Sequence, residues 1–440
     1  MILMKKIDEL GIAIPEILLP VKGVDMSKWS VIACDQYTSQ PDYWQKVMFL
    51  ANNEPSTFHI VYPEVYLEKE DKDQRIKNIQ DAMKTYLSNN ILEPFEGIIY
   101  VERTMRNGKV RHGIMLALDL ENYDYNKGSQ TLIRATEGTI IDRLPPRIAI
   151  REGAPIEVPH IMVLIDDTNS SVIDSLSNIK GDLKQLYDFD LMLNGGHIEG
   201  YAVDSLNTQK IIDGLKKLLD PQSFKSKYNL SQDLPVLLFA MGDGNHSLAT
   251  AKAIWEKNKQ TFGMDHPSRY ALVEVVNIHD DALEFEPIHR VLFGIKNDIF
   301  EELKKYFGDN FKLEPAADLS SAVGLVNSNN DGHAFGIVTD KGWSVARVSN
   351  PKANLPVGTL QPFMDSMVER GLIEKLDYVH GNDAVSGLGS APGNAGFYLA
   401  PMKKSDLFKT VILDGALPRK TFSMGEADEK RFYLECRKII

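Results

Sequence analysis

The chain has 440 residues, 43% hydrophobic and 25% charged, which is the balance of a globular protein of two to three domain-sized units and excludes a disordered, collagenous or repeat-array chain. Lys and Arg number 49 against 61 Asp and Glu, and the resulting net charge of −12 argues against nucleic acid or an anionic membrane as partner. Cys34 and Cys436 stand in no paired or metal-type spacing, so neither a disulfide framework nor a transition-metal site is expected and a reducing cytoplasm fits. The longest apolar runs, such as 236–241, fall far short of the roughly 18 residues of a membrane span.

Short apolar runs of strand length recur among amphipathic segments of helix length, the pattern of a mixed α/β protein. In chain order the spacing predicts a strand at 31–34, helices at 42–52 and 72–89, strands at 98–102, 114–118 and 160–165, and helices at 170–185 and 208–220. A strand at 235–241, a helix at 248–258 and a strand at 270–277 follow. Beyond them come a helix at 298–307, strands at 334–339 and 343–348, and a helix at 362–370 with Gly371 as its C-cap. The stretch 381–396 holds Gly387, Gly389, Pro392, Gly393 and Gly396 and is too glycine-dense for regular structure; it reads as a mobile lid, a backbone surface approached by a ligand, or a disordered loop. The domain break is expected near 292–296. That gives a main α/β domain at 1–295 and a smaller α/β module at 296–440, whose terminal segment returns to the main cleft.

The sharpest local signal is PVLLFAMGDGNHSLATA at 235–251, where an apolar strand runs into Gly242, Asp243, Gly244, Asn245, His246 and Ser247 and then into a helix. Strand, glycine turn and helix form a phosphate-site geometry, because the first amides of a helix have no intrahelical partner and the helix dipole favours an anion there. The same residues also read as a tight turn that needs glycine and a polar cap. A second constellation, RATEGTIIDRLPPRIAIRE at 134–152, holds Arg134, Glu137, Asp142, Arg143, Arg147 and Arg151. Guanidinium groups pair bidentately with phosphate or carboxylate, so these arginines either face an anionic ligand or pair internally with their acidic neighbours. A third, LPRKTFSMGEADEKRFYLEC at 417–436, brings Arg419 and Lys420 into a terminal segment dense enough in aromatic and apolar residues to be docked. In the fourth, IACDQYTS at 32–39, Asp35 is placed as an acid or base and Tyr37 as a stacking ring, with helix capping as the plainer reading. His289 and Arg290 form a weaker pair whose default is a buried, hydrogen-bonded histidine.

Taken in order, the strand ending in Asp and Tyr, NEPSTFHIVYPE at 53–64, the Arg/Glu stretch, the strand leading to an Asp-Gly-x-His box and the terminal PRKTF resemble the family called domain of unknown function 1015 over essentially the whole chain. The box is similar to the phosphate-binding box of the ParB and sulfiredoxin superfamily, which implies a ParB/sulfiredoxin-like nucleotide-binding core with a mixed sheet and an additional small module. The superfamily's Asp-Gly-His-His-Arg becomes Asp243, Gly244, Asn245, His246 and Ser247, so the phosphate-gripping guanidinium is missing here. Arginines at 134–151 or Lys420 are the candidates to replace it.

The resemblance implies a nucleotide-dependent small-molecule phosphotransferase similar to free-serine kinases, using an adenine nucleotide and Mg²⁺, with serine or another amino acid as substrate. Asp243 would hold Mg²⁺. His246, Gly242, Gly244, Asn245 and Ser247 would contact phosphate, Asp35 would take the hydroxyl proton, and Arg134, Arg143, Arg147 and Lys420 would neutralise charge. Tyr37, Glu137, His289, Arg290 and Arg419 are the candidate substrate contacts. The alternative is a non-catalytic nucleotide or metabolite sensor with the same pocket. Either would be cytoplasmic, acting alone or as a homodimer.

Overall fold

The computed structural model describes residues 4–67, 71–138 and 144–440. The chain forms two compact units, Met1–Leu283 with Gly425–Ile440, and Glu284–Met424. The break thus precedes the expected 292–296, because Phe285–Phe293 is a strand that pairs with Lys375–His380, Ala395–Tyr398 and Phe422–Met424 and so belongs to the second unit's sheet.

The first unit is a mixed α/β structure on a sheet of eleven strands among the described residues. Its centre runs His197–Ala202, Ile99–Thr104, Val110–Asp119, Tyr270–Asn277, Met162–Ile165 and Phe239–Asp243. Tyr270–Asn277 pairs parallel with Met162–Ile165, whereas the other central pairs are antiparallel. Alternation along the strands separates two cores. Ile114, Leu116, Leu118, Val273 and Val275 pack on one face with Trp255 and Leu215 of the flanking helices. Met115 and Leu272 face the other side, against Trp29, Trp44, Met83, Phe432 and Cys436. The helix Asn245–Phe262 buries Leu248, Ala251 and Trp255, the i, i+3, i+7 stripe of an amphipathic helix.

Residues 425–440 lie across this second face as a strap. Phe432 and Tyr433 pair with Ile32 and Val31, Leu18 and Cys436 exchange backbone hydrogen bonds, and the Trp29 indole donates to Leu434 O at 2.9 Å. The strap also carries charge into the interior. Arg431 is ion-paired with Glu274 and Glu435, Arg437 with Glu157, and all five side chains are at most 3% exposed.

The second unit is a seven-stranded antiparallel sheet among the described residues, ordered Phe311–Ala316, Gly342–Val348, His333–Thr339, Ala395–Tyr398, Phe285–Phe293 and Lys375–His380, with Phe422–Met424 on Phe285–Phe293. The helices Ile299–Phe307 and Pro356–Glu369 accompany it. Two expectations are corrected. The stretch 381–396 is not loop: Asn382–Gly389 is a helix and Ala395–Tyr398 a strand, since Gly389 and Gly396 pack backbone against backbone where a Cβ would lie within 2.5 Å of the neighbouring chain. The predicted helix 170–185 is a 3-10 segment Asp174–Asp182 followed by the strand Lys184–Asp190, whose Tyr187 and Phe189, two apart, face the core.

Candidate active site

Strand Phe239–Asp243 brings Asp243 opposite Met162, and Gly244, at φ +80°, turns the chain into the helix Asn245–Phe262. A Cβ on Gly244 would lie 3.0 Å from Ile161 Cα and 3.2 Å from His160 O, so both the left-handed backbone and the close approach of the neighbouring segment require glycine. No side chain caps the helix. The first-turn amides of Asn245 and His246 have no intrahelical acceptor, and beside them Asn245 Oδ1 is buried without a hydrogen-bond partner among the described residues. Gly244→Val should cost about 1–3 kcal/mol of stability through strain at this turn and abolish anion binding there. Urea unfolding and a calorimetric titration with ADP check both effects; a variant that binds as the parent does would remove the turn from the site.

Asp35 follows the short strand Val31–Ile32, which the strap fixes in place; Ala33 N–H donates to Arg431 O at 3.1 Å. Asp35 Oδ2 lies 3.7 Å from His160 Nε2. The other imidazole nitrogen, Nδ1, is 3.1 Å from the Tyr433 hydroxyl, which accepts from Cys34 N–H at 3.2 Å. Burial pushes the Asp35 carboxyl up, but His160 beside it, helped by Gln36 and Lys430, holds it below the usual carboxylate range. Burial likewise pulls His160 down, and Asp35, with Asp243 and Glu64, overrides this and raises it above 6.5. His160 therefore contributes stability that is complete below pH 6.5 and lost as pH rises through its raised value. The Asp35 contribution is present above 3.8 and lost as pH falls through its lowered value, so the pair is strongest between the two. Burial and the Asp35 charge push the Cys34 thiol up, which keeps it protonated and rules it out as a nucleophile near neutral pH.

Asp243 is engaged on both oxygens: Oδ1 accepts from Gly244 N–H at 2.8 Å, and Oδ2 is 3.3 Å from Lys430 Nζ. Ser247 and His160 line a pocket of about 130 Å³ together with Glu64 and Arg147, which are ion-paired with each other. Ile60, Val61, Leu67, Met83, Ile150 and Ile156 supply an apolar wall.

The expected residues divide accordingly. Ser247 and Arg147 line this pocket, Asp35 adjoins it through His160, and Asp243 and Gly244 lie on the turn that leads to Ser247, with Lys430 on Asp243 and with Gly242, Asn245 and His246 half-buried. Tyr37, at φ +54°, stacks on Tyr43 at 3.9 Å between ring centroids. Glu137 is half-buried beside Thr136, whose hydroxyl donates to Met241 O. Arg143 lies outside the described residues. Arg134 does not face a ligand: it is 2% exposed, and its guanidinium donates to the carbonyls of Thr131, Pro235 and Val236, holding the start of the strand that leads to the turn. Burial lowers it to about 10.

His289, Arg290, Arg419 and Lys420 belong to the second unit. His289 is 1% exposed, accepts from Leu399 N–H, and burial takes it down to about 4, which makes it a neutral core histidine and not a substrate contact. Arg290 is fully buried, donating to the carbonyls of Ile288, Arg419 and Lys420, and Arg419 pairs with Asp365 at 2.9 Å.

Sequence reasoning missed His160, Tyr433, Lys430 and Glu64. His160 sat unmarked at the head of an apolar strand. The terminal segment was expected to dock, but attention fell on Arg419 and Lys420 rather than on Lys430 and Tyr433 further along. A metal at Asp243 does not fit the residues present. The Lys430 ammonium already matches that carboxylate, and the group of three potential ligands among the described residues, Asp188, His197 and Glu199, lies elsewhere, on strands Lys184–Asp190 and His197–Ala202.

The family model described as protein of unknown function (DUF1015) matches residues 18–378. The chain belongs to that family. Among solved structures, this DUF1015 protein is similar to a free serine kinase variant in complex with ADP, at TM-score 0.39 and 13% identity over 77% of this chain and 95% of that one. It is also similar to a conserved hypothetical protein from Pyrococcus furiosus, at TM-score 0.35 and 11% identity over 74% and 92%, and to SbnI with a C-terminal truncation from Staphylococcus aureus, at 0.33 and 10% over 71% and 83%. No curated protein matches the chain. No helix among its described residues is long and apolar enough to cross a membrane.

Proposed function

We propose that this protein is a nucleotide-dependent phosphotransferase acting on the hydroxyl of a small molecule such as serine or another amino acid. The observation that carries the reading is the meeting, within one unit, of the Asp35–His160 pair and the uncapped Gly244–Asn245 helix start beside a pocket with an apolar wall. The wall offers burial for a planar ring such as adenine. The helix amides offer donors to phosphate oxygens, and Arg147 adds a cation at the same pocket. Asp35, held as a carboxylate, is in the right state to receive the hydroxyl proton, while His160, which the Asp35 charge raises against its burial, fixes its orientation. Phosphoryl transfer passes through a loose transition state, so a positioned weak base suffices where a strong one is not needed.

A nucleotide or metabolite sensor is the second reading, favoured by the engagement of Asp243 with Lys430 in place of a metal. A thermal-shift series with ATP, ADP and AMP, with and without Mg²⁺, followed by product analysis with serine and other amino acids as acceptors, tests both. A nucleotide shift with a phosphorylated product supports the transferase; a shift with no product supports the sensor; no shift with any nucleotide removes the transferase and the nucleotide sensor.

A further inference from the structure

We propose that Lys430 is the phosphate-facing cation of the turn, taking the part that a box arginine or a metal ion would otherwise play; this inference rests on the nucleotide reading of the pocket. Its ammonium lies 3.3 Å from Asp243 Oδ2, and its side chain is 16% exposed, so it is neither sealed in the core nor free in solvent. Its charge also helps hold the Asp35 carboxyl low, so it acts on both carboxylates of the site.

The surroundings fix Lys430 more firmly than a surface ion pair needs. The 3-10 turn Ala427–Glu429 just before it is closed by a reciprocal capping box between Glu426 and Glu429. Arg103, 1% exposed, donates to Asp428 O at 3.0 Å, and Arg111, 3% exposed, donates to Glu429 O at 3.1 Å. On its other side Arg431 is anchored in Glu274 and Glu435. Three buried arginines therefore hold the main chain on both flanks of one lysine. Desolvating guanidinium groups is costly, and most surface ion pairs are left to fluctuate; such clamping suits an ammonium that must meet a ligand in one place.

The other cations expected to serve the turn are engaged differently. Arg134 binds carbonyls, Arg147 is paired with Glu64, and Arg419 and Lys420 belong to the second unit. A lysine ammonium has three donors on a compact head, so it can hold Asp243 and a phosphate oxygen at once. Asp243 then acts as the residue that aims Lys430 at the helix start, and nucleotide binding at the turn does not depend on Mg²⁺.

Calorimetric titration of the full chain with ADP and with inorganic pyrophosphate, each with Mg²⁺ and with chelator, tests this in the parent, Lys430→Met, Lys430→Gln and Asp243→Asn. The expected result is parent binding with and without Mg²⁺, a loss of at least about tenfold in affinity for both ligands in either Lys430 variant, and a weaker salt dependence of what remains. Asp243→Asn should weaken binding by less than either Lys430 variant and leave it independent of Mg²⁺, because Asn keeps the bond to Gly244 N–H and loses only the charge that aims Lys430. Circular dichroism establishes that each variant is folded. If a folded Lys430 variant binds ADP as the parent does, or if Asp243→Asn loses binding together with Mg²⁺ dependence, Lys430 is not the phosphate cation and the pocket reading stands. A parent that binds neither ligand overturns both.

Discussion

Arg431→Met should destabilise the first unit by about 3–5 kcal/mol, the cost of breaking a buried ion pair from one side, and so consume much of a stability margin of roughly 5–15 kcal/mol. Arg431 is 4% exposed and is paired with Glu274 and Glu435, both 0% exposed, while Tyr187 donates to the remaining oxygen of Glu435 at 2.5 Å. Burial pulls the Arg431 guanidinium down, yet Glu435 and Glu274 raise it above its ordinary value. Glu274 is held low against its own burial by Arg111 and Arg431. Methionine leaves two carboxylates in the core short of one guanidinium. Adding Glu435→Met in the same chain should recover part of the loss, because it removes the carboxylate left without a guanidinium while Glu274 keeps Arg111. The Glu274 contribution is present above its ordinary value of 4.5 and lost as pH falls through its lowered one, so acid should narrow the gap between parent and variant. Urea unfolding at pH 7 and pH 4 measures this; a loss below about 1 kcal/mol at pH 7, the worth of an exposed pair, would show that the cluster does not hold the strap.

If Asp35 is the base of the proposed transferase, Asp35→Asn should lower turnover about 10²- to 10⁴-fold, the usual contribution of a positioned general base, while leaving nucleotide affinity within about threefold of the parent. The same substitution removes the largest influence raising His160 and leaves burial to dominate, so the imidazole should titrate at lower pH than in the parent. Histidine NMR titration reads the second effect even where turnover is slow. Unchanged turnover with a lowered His160 would make Asp35 a structural partner of the imidazole and nothing more.

The residues that sequence made legible share a local cause. The turn at 242–247 was readable because Gly244 needs a left-handed backbone and because a strand and a helix of clear period flank it. The strand 270–277 was legible at its actual limits because its apolar residues, interrupted by Glu274, are covered on both faces. Arg134 misled because an arginine in a loop of mixed charge looks the same whether it meets an anion or three carbonyls, and only the chain path past Pro235 decides. Lys430 and His160 join the candidate site by contact with residues 187 and 125 positions away, and no local pattern encodes such distances. Glycine density at 381–396 suggests a lid, a backbone surface for a ligand or a disordered loop, whereas Gly389 and Gly396 let two stretches of this chain's own backbone touch.

The strap also sets an order of events as the chain is made. Ribosomes deliver residues from the N-terminus, so 1–283 emerge with Glu157 and Glu274 holding only Arg151 and Arg111, and without the second guanidinium that Arg437 and Arg431 bring to each. The whole of 284–424 must then be synthesised, and can fold as its own sheet, before 425–440 arrive. Until that moment the nascent first unit has carboxylates where its interior will be, along with an unfilled seat for Tyr433 beside His160 and for Lys430 beside Asp243. Assembly of the candidate site therefore waits for 425–440, and a nascent chain that lacks them has neither Lys430 beside Asp243 nor Tyr433 beside His160.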